Sequence, residues 1–102
     1  MVPSYKTGTY TGSGATQAIT LGFKPEFVLG FNQTDGDGFW FHINGMTAAT
    51  VASVDSEVGA ETNGCTLTPT GFSLGSDAEA NESAKVYIYF AFGNANLDAS
   101  GA

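Results

Sequence analysis

The chain has no arginine and only three lysines in 102 residues, against ten acids, for a formal net charge of −7. Phosphate backbones are gripped by a basic footprint, so nucleic acid is not an expected partner. Anionic membrane surfaces are disfavoured on the same ground. A single cysteine, Cys65, excludes an intrachain disulfide framework and a multi-cysteine metal site, and its expected role is a small buried hydrophobe. The single histidine, His42, has no marked orienting partner and no nucleophile signature beside it, so a Cys–His pair is not expected to do chemistry. Nowhere do 18 apolar residues run together, so no membrane-spanning helix is expected. Met1 to Lys6 lack the apolar core of a signal peptide, and the chain is expected to stay where it is made, in the cytoplasm. Charge is scarce altogether, at 13% of residues, about half the usual share. That scarcity suits a protein packed against neighbours.

What is present is aromatic and glycine-rich: eight Phe, four Tyr, one Trp and 14 Gly, with 42% hydrophobic residues. This length makes one domain, 1–102, able to bury roughly 60–70% of its unfolded surface without staples. Short strands and tight turns fit this composition better than helices. The organising stretch is Leu21 to Asn32, with its strand at Glu26 to Phe31 and Pro25 just before it. Phe27, Leu29 and Phe31 project to one side of it, Val28 and Gly30 to the other. Its expected mate is Lys85 to Gly93, where Val86, Ile88, Phe90 and Phe92 share one face and Tyr87, Tyr89 and Ala91 the other.

Thr7 to Gly12 reads as a first strand, and Gly12-Ser13-Gly14 turns it into Thr16 to Leu21 as a hairpin. Asp35-Gly36-Asp37-Gly38 is a tight turn into the strand Phe39 to Ile43, which places Trp40 and His42 opposite Phe39, Phe41 and Ile43. Met46 to Gly59 reads as irregular, with a strand inside. Cys65 to Thr68 and Phe72 to Gly75 are short strands about a Pro69-Thr70-Gly71 turn, and Ser76 to Ser83 is a solvated loop. Polar extensions are expected at about 1–6 and 94–102. Six to eight short strands with a turn about every ten residues predict an all-β fold, a small antiparallel β-sandwich.

Few residues carry chemistry. Asp35 opens a calcium-like loop, but its twelfth position is Met46, where a bidentate Glu is required. Asp55, Glu57 and Glu61 could pair as carboxylates, yet a sandwich this small has little cleft for them. Asn32-Gln33-Thr34 and Asn81-Glu82-Ser83 match the glycosylation triplet by chance where no secretory route is expected. No catalytic residue, cofactor or metal is therefore expected. Trp40 with His42, or Tyr87 with Tyr89, would make an interaction surface or a sugar-stacking platform if they faced solvent, and alternation alone leaves the outer face open.

Taken in order, Leu21-Gly22-Phe23-Lys24-Pro25-Glu26-Phe27-Val28-Leu29, the Trp40 hairpin, Thr70 to Gly75 and Val86 to Phe92 resemble a β-sandwich module of bacteriophage virion proteins, notably tail-fibre-like and receptor-binding proteins. The likeness covers about Thr7 to Gly93. It departs at Gly30-Phe31-Asn32-Gln33, which lacks the basic pair usual there, and in standing alone rather than inside a long polypeptide. The resemblance implies a virion structural protein and supplies no catalytic residues. The expected role is a small capsid decoration or cement protein on the outside of the head, a homo-oligomer held by capsid or other virion proteins. The alternative is a tail-fibre or receptor-binding module that recognises host-surface carbohydrate.

Overall fold

A computed structural model describes residues 3–36, 39–46, 50–53 and 60–94. Among them the chain forms nine strands and one short helix: β1 (Pro3–Thr11), β2 (Gln17–Thr20), β3 (Pro25–Asn32), β4 (Phe39–Ile43), β5 (Thr50–Ser53), β6 (Ala60–Thr62), β7 (Cys65–Thr68), β8 (Gly71–Leu74), α1 (Ala78–Asn81) and β9 (Val86–Asn94). The hydrogen-bonded path runs β1-β9-β3-β4-β5-β7-β8-β2, with β6 attached to β5. It doubles over on itself. One layer is β1-β9-β3-β4 and the other β5-β7-β8-β2, all antiparallel, which is the expected small all-β sandwich.

The expected central pair forms. β3 and β9 run antiparallel with Leu29 opposite Phe90, and β4 returns from the Asp-Gly turn to lie on β3. The turn is closed by Asn32, whose Oδ1 accepts from the Asp35 backbone N–H at 3.0 Å while its carbonyl accepts from Gly36 N–H at 2.9 Å. β7 and β8 make the second expected hairpin. Pro25 begins β3 opposite Gly93, and the register shifts by a bulge before Phe27, so its missing N–H falls where the ladder is already irregular.

Three expectations change. β1 starts at Pro3 and pairs with β9 as far as Asn94, so Pro3 to Lys6, within the expected N-terminal extension, belong to the sheet. β1 and β2 do not form a hairpin: β1 pairs with β9 and β2 with β8, in opposite layers. The reason lies in the connection, whose polar groups are claimed by the 81–85 segment. Gly12 N–H donates to the Lys85 carbonyl at 2.7 Å and Gly14 N–H to that of Asn81 at 2.8 Å. Within 46–59 a strand is present at β5, while 47–49 and 54–59 lie outside the described residues, as do Asp55, Glu57 and the tail from 95 onward. Last, the segment expected as a solvated loop contains α1. Asp77 caps it by accepting from Glu79 N–H at 3.1 Å, and its final residue, Asn81, is fully buried. The Asn81 amide donates to the carbonyls of Ala15 and Gly75, both at 2.7 Å, and accepts from Ser13 N–H and the Gln17 amide. A buried amide with every position satisfied ties both layers to one loop.

The core lies between the layers. Tyr10, Val28, Trp40, Tyr87, Tyr89 and Ala91 come from the first, Val51, Cys65, Phe72 and Leu74 from the second. Phe72 is the hinge of the packing, meeting the rings of Tyr10, Trp40 and Tyr89 edge-on at 5.5–6.5 Å.

Candidate interaction face

Trp40, His42, Tyr87 and Tyr89, the residues expected to offer an interaction surface, point inward. All four are buried, and Tyr87 is wholly inaccessible. The polar atoms of Trp40, His42 and Tyr87 find partners inside, which favours these rings over phenylalanines on the inner face. Tyr10 Oη donates to the Ala80 carbonyl at 2.6 Å and accepts from Trp40 Nε1–H at 3.2 Å. Tyr87 Oη accepts from Glu82 N–H at 3.0 Å and donates to the Ala78 carbonyl at 3.3 Å. His42 Nδ1 lies 2.6 Å from the Thr50 carbonyl, which can only accept, so Nδ1 carries the proton. Burial pushes the phenols of Tyr10, Tyr87 and Tyr89 up, that of Tyr87 to about 12, and pushes the Cys65 thiol to about 12. These groups are locked in neutral form and serve packing.

Room for the large inner rings comes from small residues in the same row. Gly8, Tyr89, Gly30 and Trp40 stand side by side across β1, β9, β3 and β4, alternating small and large. A methyl added at Gly30 would fall on the Trp40 indole, and one added at Gly8 would lie 2.8 Å from Tyr89 Oη. The indole and phenol therefore lie over bare backbone.

The other side of this layer is then left to the remaining apolar residues. Three rows of four cross it in register: Tyr5-Phe92-Phe27-Ile43, Thr7-Phe90-Leu29-Phe41 and Thr9-Ile88-Phe31-Phe39, with Thr11 and Val86 beyond. No charged side chain stands in these rows. Tyr5 is 71% exposed, and Phe39, Ile43, Val86, Ile88, Phe90 and Phe92 are each about two-fifths exposed. Phe27, Leu29, Phe31 and Phe41 are half-buried by their neighbours. Tyr5 stacks on Phe90 at 6.2 Å, and Phe27 on Phe41 at 6.4 Å. Lys85 and Asp35 pair at 2.9 Å beside Val86, at one end of the face.

The seven exposed side chains present on the order of 600 Å² of largely apolar surface, at the upper limit of what a soluble monomer typically shows in one patch. Such a face is a candidate contact surface. Sequence reasoning named both sides of each strand and could not choose between them. The usable signal was the glycine row, because Gly8 and Gly30 share a side with Trp40 and Tyr89 and make space only there.

A cleft of about 140 Å³ beside His42 is lined by Lys24, Asn44, Met46, Thr66 and Leu67. Among the described residues, no three of His, Cys, Asp and Glu gather as a metal site, and no helix is long and apolar enough to cross a membrane. The fold and face together define a small β-sandwich with one apolar sheet side open. No family model matches the chain, and neither a curated protein nor a solved structure matches it.

Proposed function

We propose that this chain is a structural protein of a bacteriophage virion, a small decoration subunit on the outside of the head that works through contact and not through catalysis. The observation that carries the reading is the open outer face of the β1-β9-β3-β4 layer, in which three rows of apolar and threonine side chains meet solvent. Leaving such a surface wet forfeits about 25 cal/mol per Å² of apolar area, so it is expected to be covered in the working state. Sparse charge and a net charge of −7 support the same role, since an acidic exterior does not compete for the packaged genome. The resemblance of the strand series to phage sandwich modules supplies the virion setting.

The sugar-platform alternative loses its expected residues to the core, because Trp40, His42, Tyr87 and Tyr89 are buried. Outer-face rings have the Tyr5, Thr7 and Thr9 hydroxyls in these rows and Thr11 beyond them as polar groups, with no amide or charged side chain among them, a poor set for orienting a glycan's hydroxyls. Virions labelled with antibody to this chain and viewed by electron microscopy test the reading. Label over the head is expected. Label confined to the tail tip would overturn the decoration role in favour of a receptor-binding module.

A further inference from the structure

We infer that the outer face of the β1-β9-β3-β4 layer is covered by a second copy of this chain, the two identical sheets packing face to face across a two-fold axis. The inference rests on the assembly role above and names the partner that meets this face.

Area is the first argument. A specific interface buries about 800 Å² per partner and should clear about 1,000 Å² in total. The exposed side chains of one face already offer on the order of 600 Å², before the half-buried Phe27, Leu29, Phe31 and Phe41 are counted. Two copies therefore reach the size of a stable dimer without recruiting any other surface.

Charge is the second. The chain carries ten acids and three lysines, so most of its surface repels a copy of itself. A two-fold axis sets a patch against the same patch, which demands a surface free of one-sign charge. These three rows hold none. Docking onto a basic partner would instead be served by acids placed on the contact surface.

Geometry is the third. Twisted antiparallel sheets stack about 10 Å apart with their strands roughly 30° off parallel, and the chain already packs two antiparallel layers against each other. The central row, Thr7-Phe90-Leu29-Phe41, would sit nearest the axis.

The test is sedimentation equilibrium of the full chain from about 1 to 100 µM, with circular dichroism and Trp40 fluorescence reporting the fold. Wild type is expected at twice the chain mass. Phe90→Glu places like charges in the dry contact and is expected to raise the dissociation constant by at least about 100-fold with Trp40 emission unchanged. Should Phe90→Glu not fold, Thr7→Glu alters an exposed threonine of the same row and is expected to dissociate the dimer as well. A monomer at 100 µM overturns the inference, as does a dimer that survives Thr7→Glu, which would point to pairing through the β1 edge. Neither result bears on virion labelling, so failure here and failure of the decoration role are read separately.

Discussion

Gly30→Ala should be among the most damaging single-methyl changes in this protein. Gly30 lies in β3 between Tyr89 and Trp40, in ordinary extended backbone, so alanine meets no conformational strain there. What it meets is the indole. The added Cβ would overlap Trp40 Nε1 and Cε2 and stand 2.6 Å from Cζ2, where an ordinary contact is 3.4–4 Å. Trp40 is 1% exposed, with Phe72 against its ring and Tyr10 Oη on its nitrogen, so it cannot yield by about 1 Å without displacing both. Overpacking of this kind costs typically 1–3 kcal/mol, and a weakened Trp40–Tyr10 hydrogen bond adds about 1 kcal/mol. Reduced freedom of the unfolded chain returns only about 0.4–1 kcal/mol. The net loss should be about 2–3 kcal/mol, a fall in Tm of roughly 10–20 °C for a domain of this size. Because Trp40 is the only tryptophan, its fluorescence follows urea unfolding directly and should shift to the red in the folded variant. A loss below about 0.5 kcal/mol with unchanged emission would refute the small-large row as the device that selects the inner face.

Asn81→Ala should cost at least about 3 kcal/mol in urea denaturation, because it strands the carbonyls of Ala15 and Gly75 and the donors of Ser13 and Gln17 around a buried site. Tyr87 stays protonated when folded to about pH 12, while the unfolded phenol releases its proton near 10. Its contribution to stability should therefore be complete below about pH 10 and lost as pH rises through 12, and thermal melts of Tyr87→Phe should show a shallower alkaline decline. The Cys65 thiol, fully buried and pushed up to about 12, should resist an aromatic disulfide reagent at pH 8 and react fully in denaturant; rapid reaction of the folded protein would contradict its placement.

Local signals carried much of the fold. Strict alternation through β3 and β9, and the Asp-Gly turn into β4, were enough to anticipate the antiparallel centre, because side-chain period and turn chemistry are properties of neighbouring residues. The Pro69-Thr70-Gly71 turn likewise announced the β7-β8 hairpin. The β1–β2 connection misled for the same reason: Gly12-Ser13-Gly14 has a hairpin's local composition, and only the distant 81–85 segment, by taking its N–H groups, carries the chain across to the other layer. α1 was equally hidden, since four residues held by one cap and one buried Asn81 have no period to read.

The face that meets solvent was decided by tertiary structure alone. In β9 both Tyr87-Tyr89-Ala91 and Ile88-Phe90-Phe92 are apolar enough for a core, and hydropathy favours the second set. Burial goes to the first in step with the Tyr87 hydroxyl, which reaches the Ala78 carbonyl of α1 only within the folded sandwich, as Tyr10 reaches the Ala80 carbonyl and Trp40 reaches Tyr10. Glycines in strands adjacent in space, and far apart in sequence, then make room for the rings. Sequence by itself determined strands, turns, the central pairing and an acidic, charge-poor character. Which side of those strands became core, and which was left as an exposed apolar face, depended on hydrogen bonds and clearances that exist only once the two layers have closed.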